Sequence, residues 1–134
     1  YFFDSGVYRA IRPMSQFDRP EAIAGISLET LFFQNLRAVN DYLKLGYRLY
    51  YYRTVAGVEV DFIAYGPKGL VAFEVKSKRN IFKKDLTGLK TFLGDYPMAK
   101  GIMVYGGDHK MYDRGIEIWP AAEALKSLPE ILSK

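Results

Sequence analysis

The sequence predicts a mixed α/β layered domain, and three observations lead there. Helical and alternating apolar patterns follow one another in the order α-β-β-β-α-β-β-α, which builds a mixed central sheet flanked by helices. The run GPKG at 66–69 separates an alternating segment from a second strand-forming one and marks an antiparallel hairpin. The 134 residues, 49% hydrophobic and 25% charged, are enough for one core of ordinary globular composition.

The elements follow in chain order. Residues 1–25 contain Gly6, Pro13, Pro20 and Gly25 and read as an irregular lead-in of the same domain, with a helical turn after Pro20. A single domain is expected over 26–134. Leu28, Phe32, Leu36, Val39 and Leu43 fall at helical spacing, with Ser27 as N-cap and Gly46 as the stop. YRLYYYRT (47–54), VEVDFIAY (58–65) and LVAFEVKS (70–77) are three strands. Phe82, Leu86, Leu89 and Leu93 give a second amphipathic helix, stopped by Gly94 and Pro97. GIMVY (101–105) and IEIW (116–119) are strands. AAEALKSLPEIL closes the chain as a helix that Pro129 would interrupt.

Composition removes several function classes. With no cysteine and one histidine, thiolate zinc sites, disulfides and Ser-His-Asp chemistry drop out. His109 alone reads as a surface or structural residue. No apolar run approaches the roughly 20 residues that span a bilayer, so no membrane span is expected. The first residues have no signal-peptide character, and a cytoplasmic location is expected. A chain that begins with Tyr1 is expected to be a piece of something longer. A net charge of +4 permits a polyanionic partner without requiring one.

Chemistry concentrates in VEVDFIAYGPKGLVAFEVKSK. Carboxylates are depleted in strands, yet Glu59, Asp61 and Glu74 stand there beside Lys76. If Tyr65 and Leu70 close the hairpin, Asp61 falls opposite Glu74 and Glu59 opposite Lys76, all on one face. Opposed Cβ atoms lie about 4.5–5.5 Å apart, so two carboxylates there repel. A raised pKa, a lysine or a divalent cation can each compensate. Mg²⁺ or Mn²⁺ accepts this oxygen set, with the Val75 carbonyl close by, and Lys76 can then steady an attacking water or phosphate charge. A plainer reading pairs Glu59 with Lys76 and leaves Asp61 in solvent.

An Asp ending one strand, Glu-x-Lys on the next and a Glu on the preceding helix resemble the PD-(D/E)XK nuclease-like superfamily. The matching residues are Asp61, Glu74, Lys76 and Glu29. The position before the Asp, often Pro in that superfamily, is Val60 here. FFDSGVYRAI, YYYRT, GVEVDFI, EVKSK and KDLTGLKTF more closely resemble the uncharacterised C-terminal domain of bacterial and archaeal AAA-type ATPases. These resemblances imply a restriction-endonuclease-like three-layer core and a metal site at Asp61, Glu74 and Glu29, with Lys76 as catalytic lysine. They also imply DNA as substrate and the ATPase portion of a longer protein as partner, with a homo-oligomer as another expected assembly. The chain has no GxxxxGK[ST] phosphate loop, so ATP hydrolysis is not expected of it. Glu29 reads equally well as a first-turn residue favoured by the helix dipole.

Lys78, Arg79, Lys83, Lys84 and Lys90 crowd the segment after the acidic strand, and Arg53 precedes it. They form a candidate phosphate footprint or a solvated helix face. A non-catalytic DNA-binding module and a regulatory or oligomerisation domain of the ATPase are therefore the rival readings. Tyr50, Tyr51 and Tyr52, with Arg53, offer rings on which splayed bases could stack, and a strand with one buried face explains them more cheaply.

Overall fold

A computed structural model describes residues 20–54 and 57–133 of the chain. Most of the expected lead-in, with the FFDSGVYRAI motif, lies outside the described residues. Helix α1 spans Pro20–Tyr42, so the expected start at Ser27 is corrected. Proline's fixed φ and missing N–H suit a first helical position, and Ser27 falls inside the helix. Beyond Tyr42 the chain turns through Lys44 (φ 54) and Gly46 (φ 79). The buried Asn40 holds this corner: its Nδ2 donates to the Tyr47 carbonyl at 2.8 Å and its Oδ1 accepts the Tyr47 amide at 2.9 Å.

Six strands follow: β1 (Arg48–Arg53), β2 (Glu59–Gly66), β3 (Gly69–Val75), β4 (Lys100–Tyr105), β5 (Met111–Asp113) and β6 (Ile116–Pro120). Their sheet order is β1-β2-β3-β4-β6-β5. The first three strands are antiparallel, β4 runs parallel to β3 and β6, and β5 closes the far edge antiparallel to β6. Strand β5 is a correction, since its three residues are too few to show a period. The hairpin register is as expected, with Tyr65 opposite Leu70 and Phe62 opposite Phe73. Gly66 also pairs with Gly69, which leaves Pro67 and Lys68 as the turn.

Between β3 and β4 the expected single helix is split. A short 3₁₀ turn, Lys83–Leu86, precedes helix α2, Thr87–Asp95. Phe82 caps that turn and is 59% exposed, not part of the core. Helix α3, Ala121–Ser133, runs through Pro129 without the expected break.

Three layers result. Helices α1 and α3 cover one sheet face, where Phe32, Phe33 and Leu36 meet Phe62, Phe73, Val104, Leu128 and Leu132. The 3₁₀ turn and α2 cover the other, with Leu86, Leu89 and Phe92 on Val60, Ile63, Ala72 and Met103. The Tyr47 hydroxyl donates to the Leu132 carbonyl at 2.6 Å and ties the first corner to the last helix. The only tryptophan of the chain, Trp119, is 8% exposed and lies under Lys110, whose Nζ is 3.8 Å from the ring centroid.

Candidate functional site

The site forms where β2 and β3 stop pairing. Tyr50 faces Ile63 and Tyr52 faces Val60, so β2 carries one residue more than β1 across Asp61 and Phe62. This is a β-bulge, which bends a strand and re-aims a side chain. It explains why Val60 and Ile63 share one face of the core despite their odd spacing.

The β2–β3 ladder closes at Phe62 and Phe73. Beyond it, side chains replace backbone partners. Asp61 Oδ2 accepts the Val75 amide at 2.8 Å, and Glu74 Oε1 accepts the Asp61 amide at 3.3 Å. Glu74 is only 9% exposed, and Lys76 Nζ lies 3.6 Å from its Oε2. From α1, Glu29 hydrogen-bonds the Asp61 carboxyl.

The electrostatics follow from this crowding. Burial, then the charge of Asp61, pushes the Glu29 carboxyl up to about 8. Burial and Asp61 also push Glu74 up to about 8, against the pull of Lys76. Asp61 is raised by burial too, while the Val75 amide, the Glu29 hydrogen bond and Lys76 pull it down.

An open cleft of about 580 Å³ sits over these groups, lined by Glu59, Asp61, Glu74, Lys76, Lys84, Asp85, Thr87 and Gly88 among others. Gly88 seats α2 against the mouth of β2, because a Cβ there would lie 2.3 Å from the Glu59 carbonyl oxygen. All four residues expected on one hairpin face thus reach the cleft, but their pairing differs from the plainer expectation. Glu59 contacts Arg53 (3.9 Å) and the Tyr51 hydroxyl, not Lys76.

The expected basic footprint is largely neutralised. Lys78 is bound to Asp85 at 2.8 Å, Arg79 to Asp108 at 2.5 Å and Lys90 to Asp113 at 3.8 Å. Lys84 lines the cleft, and Lys83 is exposed beside it. His109 is exposed, and its carbonyl accepts the Tyr105 hydroxyl at 2.6 Å. The residues missed by sequence reasoning are Asp85 and Gly88. The DLTG run that contains both could have marked them, since an acid in a helix's first turn and a glycine within it each ask for a reason.

Fold and site together define a three-layer α/β domain with an acid-and-lysine cleft at the parting of two antiparallel strands. The chain belongs to the family described as a domain of unknown function, DUF4143, which it matches over residues 24–124. Comparison with curated proteins and with solved structures returned no match. No helix among the described residues is long and apolar enough to cross a membrane.

Proposed function

We propose that this domain is a PD-(D/E)XK nuclease-like accessory module of an AAA-type ATPase, acting on DNA phosphodiesters with Mg²⁺ or Mn²⁺. One observation carries the reading: Asp61 and Glu74 converge at the end of a ladder, in an open cleft, with Lys76 beside Glu74. The all-oxygen donor set suits a hard cation. Among the described residues no group of three or more His, Cys, Asp and Glu side chains is arranged to hold an ion unaided. Asp61 and Glu74 are therefore assigned as the protein's two carboxylate ligands, the number Mg²⁺ commonly takes beside water and phosphate oxygens. Such an ion supplies Lewis acidity and orients an attacking water.

The remaining roles belong to the chain. Glu29 holds Asp61 in place through their hydrogen bond. Lys76, half in solvent, offers its ammonium to water or to the growing negative charge of a phosphate. Lys84 attracts the nucleic-acid backbone to the cleft. The proton held by Glu74 leaves when a cation enters, so affinity should rise with pH.

A Mn²⁺ titration by calorimetry, wild type beside Asp61→Ala, tests the reading. Heat in the wild type alone supports it. Silence in both would favour a regulatory module of the ATPase, a reading supported by the internal pairing of Arg53, Lys78, Arg79 and Lys90.

A further inference from the structure

Phe82 has no place in the core that periodicity assigns it. Its residue is 59% exposed, while Leu86, Leu89 and Phe92 on the following turns are buried. The exposure is built in by neighbouring contacts. Asp85 Oδ2 accepts the Phe82 amide at 2.8 Å and fixes the backbone. The same carboxylate binds Lys78, and the Lys78 ammonium stands 5.3 Å from the centroid of the Phe82 ring. Lys83 and Lys84 follow directly in the chain and are exposed. Lys84 and Asp85 line the cleft of the acidic pair, and the Asp85 carboxylate that lines it is the one that holds the Phe82 amide.

An exposed aromatic ring with lysines around it, on the turn that also lends Lys84 to an open cleft, is what unpaired nucleic acid recognises. Lysines track the backbone, and a base stacks on the ring without regard to its identity. A paired duplex keeps its bases stacked inside and offers such a ring little. The neutralised outer cations, Arg79 and Lys90, leave the broad flank of a duplex with few phosphate contacts. We infer that Phe82 is a stacking platform and that the domain takes single-stranded or splayed nucleic acid in preference to intact duplex. This rests on the reading of nucleic acid as the substrate class.

The experiment measures binding, not cleavage. Labelled oligothymidine and a duplex of equal length are titrated by fluorescence anisotropy in EDTA at one fixed low salt concentration. The wild type should bind the single strand more tightly than the duplex. Phe82→Ala should weaken single-strand binding roughly 5- to 150-fold, the usual loss for one stacked base. Phe82→Trp should retain it, and neither change should alter duplex binding. Equal affinities of wild type and Phe82→Ala for the single strand, a wild-type preference for duplex, or no binding of either would overturn the inference. A failed Mn²⁺ titration leaves this result standing, and a failed anisotropy result leaves the metal site standing, so the two can be told apart.

Discussion

Glu74 reaches across the end of the β2–β3 ladder and accepts the amide of Asp61 with its own carboxylate. The bond that ordinarily joins two backbones is made there by the side chain of a candidate ligand. Stability and site chemistry are therefore coupled at this point.

That coupling has a pH signature. Glu29 and Glu74 are raised from an ordinary 4.5 to about 8 in the folded protein. Between those values the folded chain holds protons that the unfolded chain has released. The stability they contribute is whole below pH 4.5 and is lost as pH rises through 8. Chemical denaturation should give a higher midpoint at about pH 5 than at about pH 8, beyond the trend of the other groups. Glu29→Gln keeps a donor for Asp61 and should flatten that slope. An unchanged slope would remove Glu29 from the account.

Lys76→Met should separate chemistry from folding. The Lys76 side chain is 38% exposed, so loss of its charge should cost no more than about 1 kcal/mol in unfolding. The Glu74 carboxyl, relieved of the downward pull of Lys76, should titrate higher by NMR. Divalent-ion-dependent cleavage should fall by at least about a hundredfold, the usual scale for a proton-handling or charge-stabilising group.

Gly88→Ala tests how α2 is seated. The added methyl would sit 2.3 Å from the Glu59 carbonyl oxygen, too close for side-chain adjustment to relieve. Overpacking of this kind costs about 1–3 kcal/mol. Urea unfolding should register that loss. Amide shifts should gather at Val58–Asp61 and Thr87–Leu89, and shifts confined to α2 would contradict the described contact.

Asn40→Ala should be among the more damaging polar substitutions. It strands both backbone groups of Tyr47, a buried corner residue. Leaving buried polar groups unpaired costs about 1–3 kcal/mol each. Asn40→Asp keeps the acceptor but not the donor, and thermal melts should place it between wild type and alanine.

The hairpin was legible because its information is local. Turn residues Pro67 and Lys68 between two strand-forming runs, the first of them alternating, leave one register, and that register brings Asp61 to Glu74. The bulge was not legible, because one inserted residue at Asp61–Phe62 leaves no mark on a pattern of Val, Asp, Phe and Ile. Nor did the pattern show that α1 begins at Pro20, since Gly25 and Ser27 read as punctuation although neither is barred from a helix interior. Phe82 misled for a related reason: its spacing from Leu86 is helical, but the backbone there is extended, so the period does not apply. The basic segment showed its charge in the sequence, while its partners Asp108 and Asp113 lie on distant loops and strands.

Trp119, alone of its kind and roofed by the Lys110 ammonium, gives the molecule an optical reporter of its own. A cation over an indole shifts its emission, and with excitation beyond the absorption of the 11 tyrosines the single indole is the emitter to interpret. Loosening of the loop that carries Lys110 and melting of the whole sheet will therefore read out at different wavelengths of a single dye-free signal, with Lys110→Met as the reference.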